Sequence, residues 1–154
     1  MRAGIIINNF KANQIGNTIL QEISKIKKQE YHSDIICFCE NRSFASISGN
    51  KDITFLHQGH LWGYNGTCIA NDLDTCLTMI NCSSIKNKYF YLWDLEWMGQ
   101  NYDLDYLCSI YLNPLVKLIA RSEEHAQIIE SCWKKPVATI EDFNYEEITK
   151  IINE

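Results

Sequence analysis

Lys88-Tyr-Phe-Tyr-Leu-Trp-Asp94 puts five large apolar or aromatic side chains in consecutive positions. A strand sends successive side chains to opposite faces, so an unbroken run of this kind needs cover on both. A parallel sheet held between two helical layers supplies that cover. The run therefore predicts a central strand, with Asp94 and Glu96 at or just beyond its carboxyl end. Strand alternation, carried past the run, puts Asp94 and Glu96 on the same side.

The rest of the chain follows the same plan. Gly4–Asn8, Asp34–Glu40, Leu115–Ala120 and Pro136–Ile140 read as further strands, and Lys51–His57 as a weaker one. Between and after them, helices are predicted from Ile15 to Lys28 (Ile15, Ile19, Leu20, Ile23 and Ile26 on one face) and from Asp72 to Ile80. Others run from Leu104 to Leu112 before Asn113-Pro114, from the Ser122 cap to about Cys132, and from Tyr145 to Ile152. Gly59-His-Leu-Trp-Gly-Tyr-Asn-Gly-Thr67 reads as an aromatic, glycine-rich loop. Strands alternating with helices predict an α/β fold: one Rossmann-like domain, its mostly parallel sheet of about six strands covered by helices on both faces. A length of 154 residues suits one domain, and 46% hydrophobic residues with 7 Gly and 2 Pro exclude a disordered or low-complexity chain.

Charge narrows the partners. Fourteen Lys+Arg against 19 Asp+Glu leave a net charge of -5, so no basic surface is on offer to nucleic acid or an anionic membrane. The seven cysteines are an odd number and sit in apolar or helical stretches, which reads as reduced thiols and a cytoplasmic location. Met1-Arg-Ala-Gly-Ile-Ile-Ile-Asn8 has neither the composition of a signal peptide nor the length of a membrane span.

Ligands of open α/β sheets sit at the carboxyl ends of the strands. That rule gathers Asn8, Asn9, Glu40, Asn41, His57, His60, Asp94 and Glu96, together with the helix start at Ser122. A carboxylate at an apolar strand end is suited to general-base work, with Asp94 as first choice and Glu96 second. His60 lies on a loop able to orient an acceptor, and Trp62 and Tyr64 offer rings that stack on a sugar. Asp72-Leu-Asp74 and Asp103-Leu-Asp105 match a divalent-cation pattern, but they suit the first turns of helices better. No metal site is expected. His57-Gln-Gly-His60 with Cys68 and Cys76 lacks zinc spacing, and neither a phosphate loop nor a Gly-x-Ser-x-Gly elbow occurs.

Lys117-Leu-Ile-Ala-Arg-Ser-Glu-Glu-His-Ala-Gln-Ile-Ile-Glu-Ser131, followed by Pro136-Val-Ala-Thr-Ile-Glu-Asp-Phe-Asn144, resembles the end of the N-terminal domain of GT-B glycosyltransferases (family 4-like). There a strand ending in a Ser-Glu pair leads into a helix, here at Ser122 and Glu123. Tyr91-Leu-Trp-Asp-Leu-Glu-Trp97 resembles the family strand that ends in His-Asp, with Trp93 in place of the histidine. The loop from Phe10 to Asn17, with Gly16, matches the family's opening in order and spacing. The resemblance spans nearly the whole chain and implies the acceptor-binding half of a transferase. Together with the strand-end and loop readings, substrate contacts are expected at Asn9, Gly16, His60, Trp62, Tyr64, Ser122 and Glu123, with no bound cofactor. The nucleotide-sugar would then be held by a second chain or a second copy. The other reading is a non-catalytic interaction module that keeps the half-fold and presents Trp62, Trp93 and Trp97 to a protein partner.

Overall fold

The computed structural model describes residues 2–7, 18, 19, 21–23, 25, 34–40, 54–99 and 101–153. Seven strands form one sheet: β1 (Arg2–Ile7), β2 (Asp34–Cys39), β3 (Thr54–His57), β4 (Thr67–Ala70), β5 (Asn87–Leu92), β6 (Val116–Ala120) and β7 (Ala138–Thr139). Their spatial order is β3-β2-β1-β4-β5-β6-β7, and every pairing is parallel. The α/β Rossmann-like reading is borne out.

Helical residues at 18, 19, 21–23 and 25 (α1) follow β1. Helices α2 (Leu73–Asn81), α3 (Leu104–Tyr111), α4 (Glu123–Cys132) and α5 (Tyr145–Asn153) follow β4, β5, β6 and β7. Alternation along each strand sorts the core into two layers. Ile5, Ile7, Cys37, Ile69, Tyr89, Tyr91 and Ile119 pack with Ile19 and Ile23 of α1 and with Tyr145, Ile148 and Ile152 of α5. On the opposite face, Ile6, Phe38, Cys68, Ala70, Phe90, Leu92 and Leu118 pack with Cys76 and Met79 of α2, Ile110 and Tyr111 of α3, and Ile129 of α4. Both faces of the Tyr89–Leu92 run are thus covered, which is why it carries so few polar residues.

Two features differ from the sequence reading. The sheet has a seventh strand, β4, and Thr67 opens it instead of closing a loop. The segment before it, Gln58–Gly66, links the carboxyl end of β3 to the amino end of β4. It contains a 3-10 helix, Gln58–Gly63, in which only Leu61 is buried. The Ser84 hydroxyl donates to the Leu61 carbonyl at 3.0 Å, and the Lys86 amide to the Gly66 carbonyl at 3.0 Å. These bonds tie the link to the chain entering the amino end of β5. Successive strands are added on one side of β1 (β2, β3) and then on the other (β4 onward), and this switch in strand order places the ligand crevice of such folds beyond Ile7 and Ala70. Among the described residues no helix is long and apolar enough to cross a membrane.

Candidate functional site

The carboxyl ends of β4, β5 and β6 bring together the residues with the most distinctive chemistry. Asn71, just after β4, is buried, and Asp72 caps α2. The Asp72 carboxylate accepts the Thr75 amide at 2.7 Å, while the Thr75 hydroxyl accepts the Asp72 amide at 3.1 Å, a reciprocal capping box. Asp103 caps α3 by accepting from the Asp105 and Tyr106 amides. Both Asp-x-Asp sequences thus supply helix caps.

After β5 the chain stops being a strand at Leu92, bends through Trp93 and Asp94, and enters a 3-10 turn, Glu96–Met98. The two-residue period ends there, so Asp94 and Glu96 do not share a side. Asp94 turns out to solvent, with its side chain 72% exposed and 3.7 Å from Arg121 Nη1. Glu96 folds back onto the start of α2 and accepts the Leu73 amide at 3.4 Å. Burial, and then the neighbouring Asp72 charge, raise its carboxyl from 4.5 to about 7, against the opposing pull of the Leu73 amide; Asp74 and Asp94 push the same way. Asp72 is raised as well, chiefly by burial. The Tyr106 hydroxyl donates to Asp74 at 3.2 Å and lies stacked on Tyr102 with ring centroids 5.8 Å apart.

Trp93 packs against Tyr91 in the core, with its ring under the Arg121 guanidinium at 5.0 Å and its carbonyl accepting from Arg121 at 3.2 Å. Ser122 caps α4 by accepting the His125 amide at 3.2 Å. Its neighbour Glu123 lines a polar cleft of about 540 Å³ with Glu22, Lys25, Glu141, Asp142 and Glu147. With five carboxylates facing one ammonium, this cleft repels phosphate groups.

The remaining candidates lie elsewhere. His60 and Trp62 are exposed on the Gln58–Gly63 helix, and Trp62 is 66% accessible. Tyr64 packs edge-on against Phe38 and donates to the Thr67 carbonyl at 3.4 Å, toward the amino end of β4. The three do not join the Glu96 group. His57 caps the same 3-10 helix, its Nδ1 accepting the Gly59 amide at 3.0 Å. Asn8, Asn9, Gly16 and Asn41 lie outside the described residues. Sequence reasoning missed Asp72 and Asp74 as neighbours of Glu96 and Arg121 as the partner of Asp94. Recognising Thr-Cys-Ile-Ala as a strand would have put Asn71-Asp72 at a strand end beside Glu96.

Chemically, this end of the sheet offers a carboxyl, Glu96, whose burial favours its protonated form, set near the carboxylates of Asp72, Asp74 and Asp94. No protein-family model, curated protein or solved structure matches the chain.

Proposed function

We propose that the chain is the acceptor-binding half of a glycosyl-transfer system in which Glu96 takes the proton from the acceptor hydroxyl. The carrying observation is the position of Glu96, 3.4 Å from the Leu73 amide at the amino end of the helix that follows β4, the strand bordering the crevice where ligands enter such sheets. A carboxyl raised to about 7 combines enough base strength with ready ionisation at neutral pH, the balance a general base needs. Asp94 takes the lesser part, because solvent and Arg121 already satisfy it. The acidic character of both the Glu96 group and the Glu123 cleft disfavours a diphosphate, which supports a nucleotide-sugar held by a second polypeptide or a second copy. The interaction-module reading has less to draw on, since Trp93 and Trp97 are packed against other rings and Trp62 alone of the three is largely exposed.

The test is recovery of the tagged protein from its own source with mass spectrometry of what accompanies it, followed by transfer assays on the recovered assembly. A co-purifying chain with a nucleotide-sugar domain is expected. Glu96→Gln should lower the transfer rate about 100-fold or more, and Asp94→Asn only a few-fold. The rate should rise with pH through about 7, as Glu96 ionises. Full activity in Glu96→Gln would end the proposal.

A further inference from the structure

Three rings meet in the helical layer on the Phe90 face. Trp133, at the end of α4, stacks on Tyr111, at the end of α3, with centroids 4.8 Å apart and planes 17° apart. Trp97, from the turn that carries Glu96, stands edge-on to Tyr111 at 4.9 Å and to Trp133 at 5.9 Å. Two polar atoms in this group, Tyr111 Oη and Trp133 Nε1, are buried and have no hydrogen-bond partner among the described residues. Folded proteins rarely leave such atoms unpaired, because each gave up water on folding. Both can donate, and the hydroxyl can also accept. Burial pushes the Tyr111 phenol up, and Glu96 is the charge that acts on it most strongly, ahead of Cys76. Through Trp97, both rings pack against the Glu96–Met98 turn.

Besides the Glu96–Leu73 hydrogen bond, the turn is closed by two backbone hydrogen bonds. The Met98 amide reaches the Leu95 carbonyl at 2.9 Å, the Gly99 amide reaches the Glu96 carbonyl at 3.3 Å, and no side chain caps it. Met98 is exposed on its outer side. Rotation of the Trp97 side chain alone would withdraw its ring from the edge-on seat and open both polar atoms while Glu96 keeps its place on the Leu73 amide.

We propose that Tyr111 and Trp133 form a hydroxyl-binding subsite for the acceptor sugar, covered by Trp97 until its ring swings aside. This rests on the reading of Glu96 as the acceptor's base. An anionic guest would meet Glu96, Asp72 and Asp74, and an apolar guest would leave both atoms unpaired. A neutral polyhydroxyl ring satisfies them: one oxygen accepts from the indole N–H, another pairs with the phenol, and its C–H face stacks on the aromatic rings.

The experiment is heteronuclear NMR of the full chain, whose four tryptophans give four indole N–H signals. The Trp133 signal is assigned with Trp133→Phe, the Trp97 signal with Trp97→Phe, and glucose, galactose, mannose and N-acetylglucosamine are titrated separately into the tens of millimolar. At least one sugar should move both signals. Tyr111→Phe should weaken that binding about tenfold, as the loss of one hydrogen bond requires, while melting at the same temperature as wild type or higher. The proposal is overturned if none of the four sugars moves Trp133, if Trp97 stays still while Trp133 responds, or if Tyr111→Phe binds undiminished. A melting temperature lowered by several degrees in Tyr111→Phe would also overturn it, since the hydroxyl would then already be paired. Glu96→Gln separates the two readings. Retained transfer with a responsive Trp133 would remove the base and keep the subsite, whereas lost transfer with a silent Trp133 would do the reverse.

Discussion

At the residue scale, Glu96 sits where its charge is unwelcome, and the sign of that conflict is testable in the folding equilibrium. Its carboxyl is raised from 4.5 to about 7, so the folded state prefers the protonated form. The stability this contributes is fully present below pH 4.5 and is lost as pH rises through about 7. Glu96→Gln stays neutral throughout. It should melt at the wild-type temperature at acid pH and above it at alkaline pH; a difference that does not change with pH would refute the assignment. Gly4 makes a steric prediction of the opposite sign. A Cβ there would lie 2.8 Å from Cys68 Sγ, 2.8 Å from Phe38 Cε2 and 3.2 Å from Tyr64 Cε1, so β1 passes too close to its neighbours for any side chain. Gly4→Ala should cost about 1–3 kcal/mol in urea unfolding, the range for overpacked cores. The sequence made Glu96 visible as a carboxylate near a strand end. Its separation from Asp94 was hidden, because that depends on where the strand stops, and Trp93 extends the apolar run beyond the last paired residue, Leu92.

At the scale of elements, α2 shows how a cap and a site share atoms. Asp72 holds the Thr75 amide at 2.7 Å, and its charge is the largest charge effect raising Glu96. Asp72→Ala should lose about 1 kcal/mol of stability with the cap. Asp72→Asn keeps an acceptor oxygen for the Thr75 amide but removes the charge, so it should lower the Glu96 titration midpoint with little loss of stability. Carbon-detected NMR of the Glu96 carboxyl checks this, and an unmoved midpoint would mean the two groups are not coupled. The same region marks where the sequence stops being readable. Tyr89–Leu92 is legible because four neighbouring positions agree. Thr67–Ala70 has four residues, no alternation, and an aromatic, glycine-rich stretch before it that mimics an open loop. Its strand character comes from pairing with β1 and β5, which are distant in sequence. Missing it also hid Asn71 and Asp72 as strand-end residues and left Gln58–Gly66 read as an open loop where a 3-10 helix leads into β4.

At the scale of the whole molecule, α5 must return from the β7 edge to cover the face it shares with α1, and one hydroxyl holds that return. Tyr91 Oη donates to the Ile140 carbonyl at 2.8 Å and accepts the Phe143 amide at 3.0 Å, joining the middle of β5 to the segment before α5. That segment turns back through Asp142 at φ 47° and Phe143 at φ 55°, left-handed conformations that are costly for residues with a side chain. The Phe143 ring, set edge-on to Tyr91 at 5.0 Å, and the buried Tyr145, Ile148 and Ile152 are positioned by that turn. Tyr91→Phe keeps the ring and strands a buried carbonyl and a buried amide, so it should destabilise the chain by about 2 kcal/mol or more. The loss should not be uniform. Amide exchange should accelerate first in α5, then across the α1 face, while α2 and α3 on the other layer keep their protection until global unfolding. Tyr111→Phe, at an equally buried hydroxyl without a partner among the described residues, should show no such loss. The pair therefore separates a tyrosine that closes the fold from one left open within it. Equal costs at the two positions, measured by urea unfolding, would mean that hydrogen bonding to Tyr91 is not what brings α5 back onto the sheet.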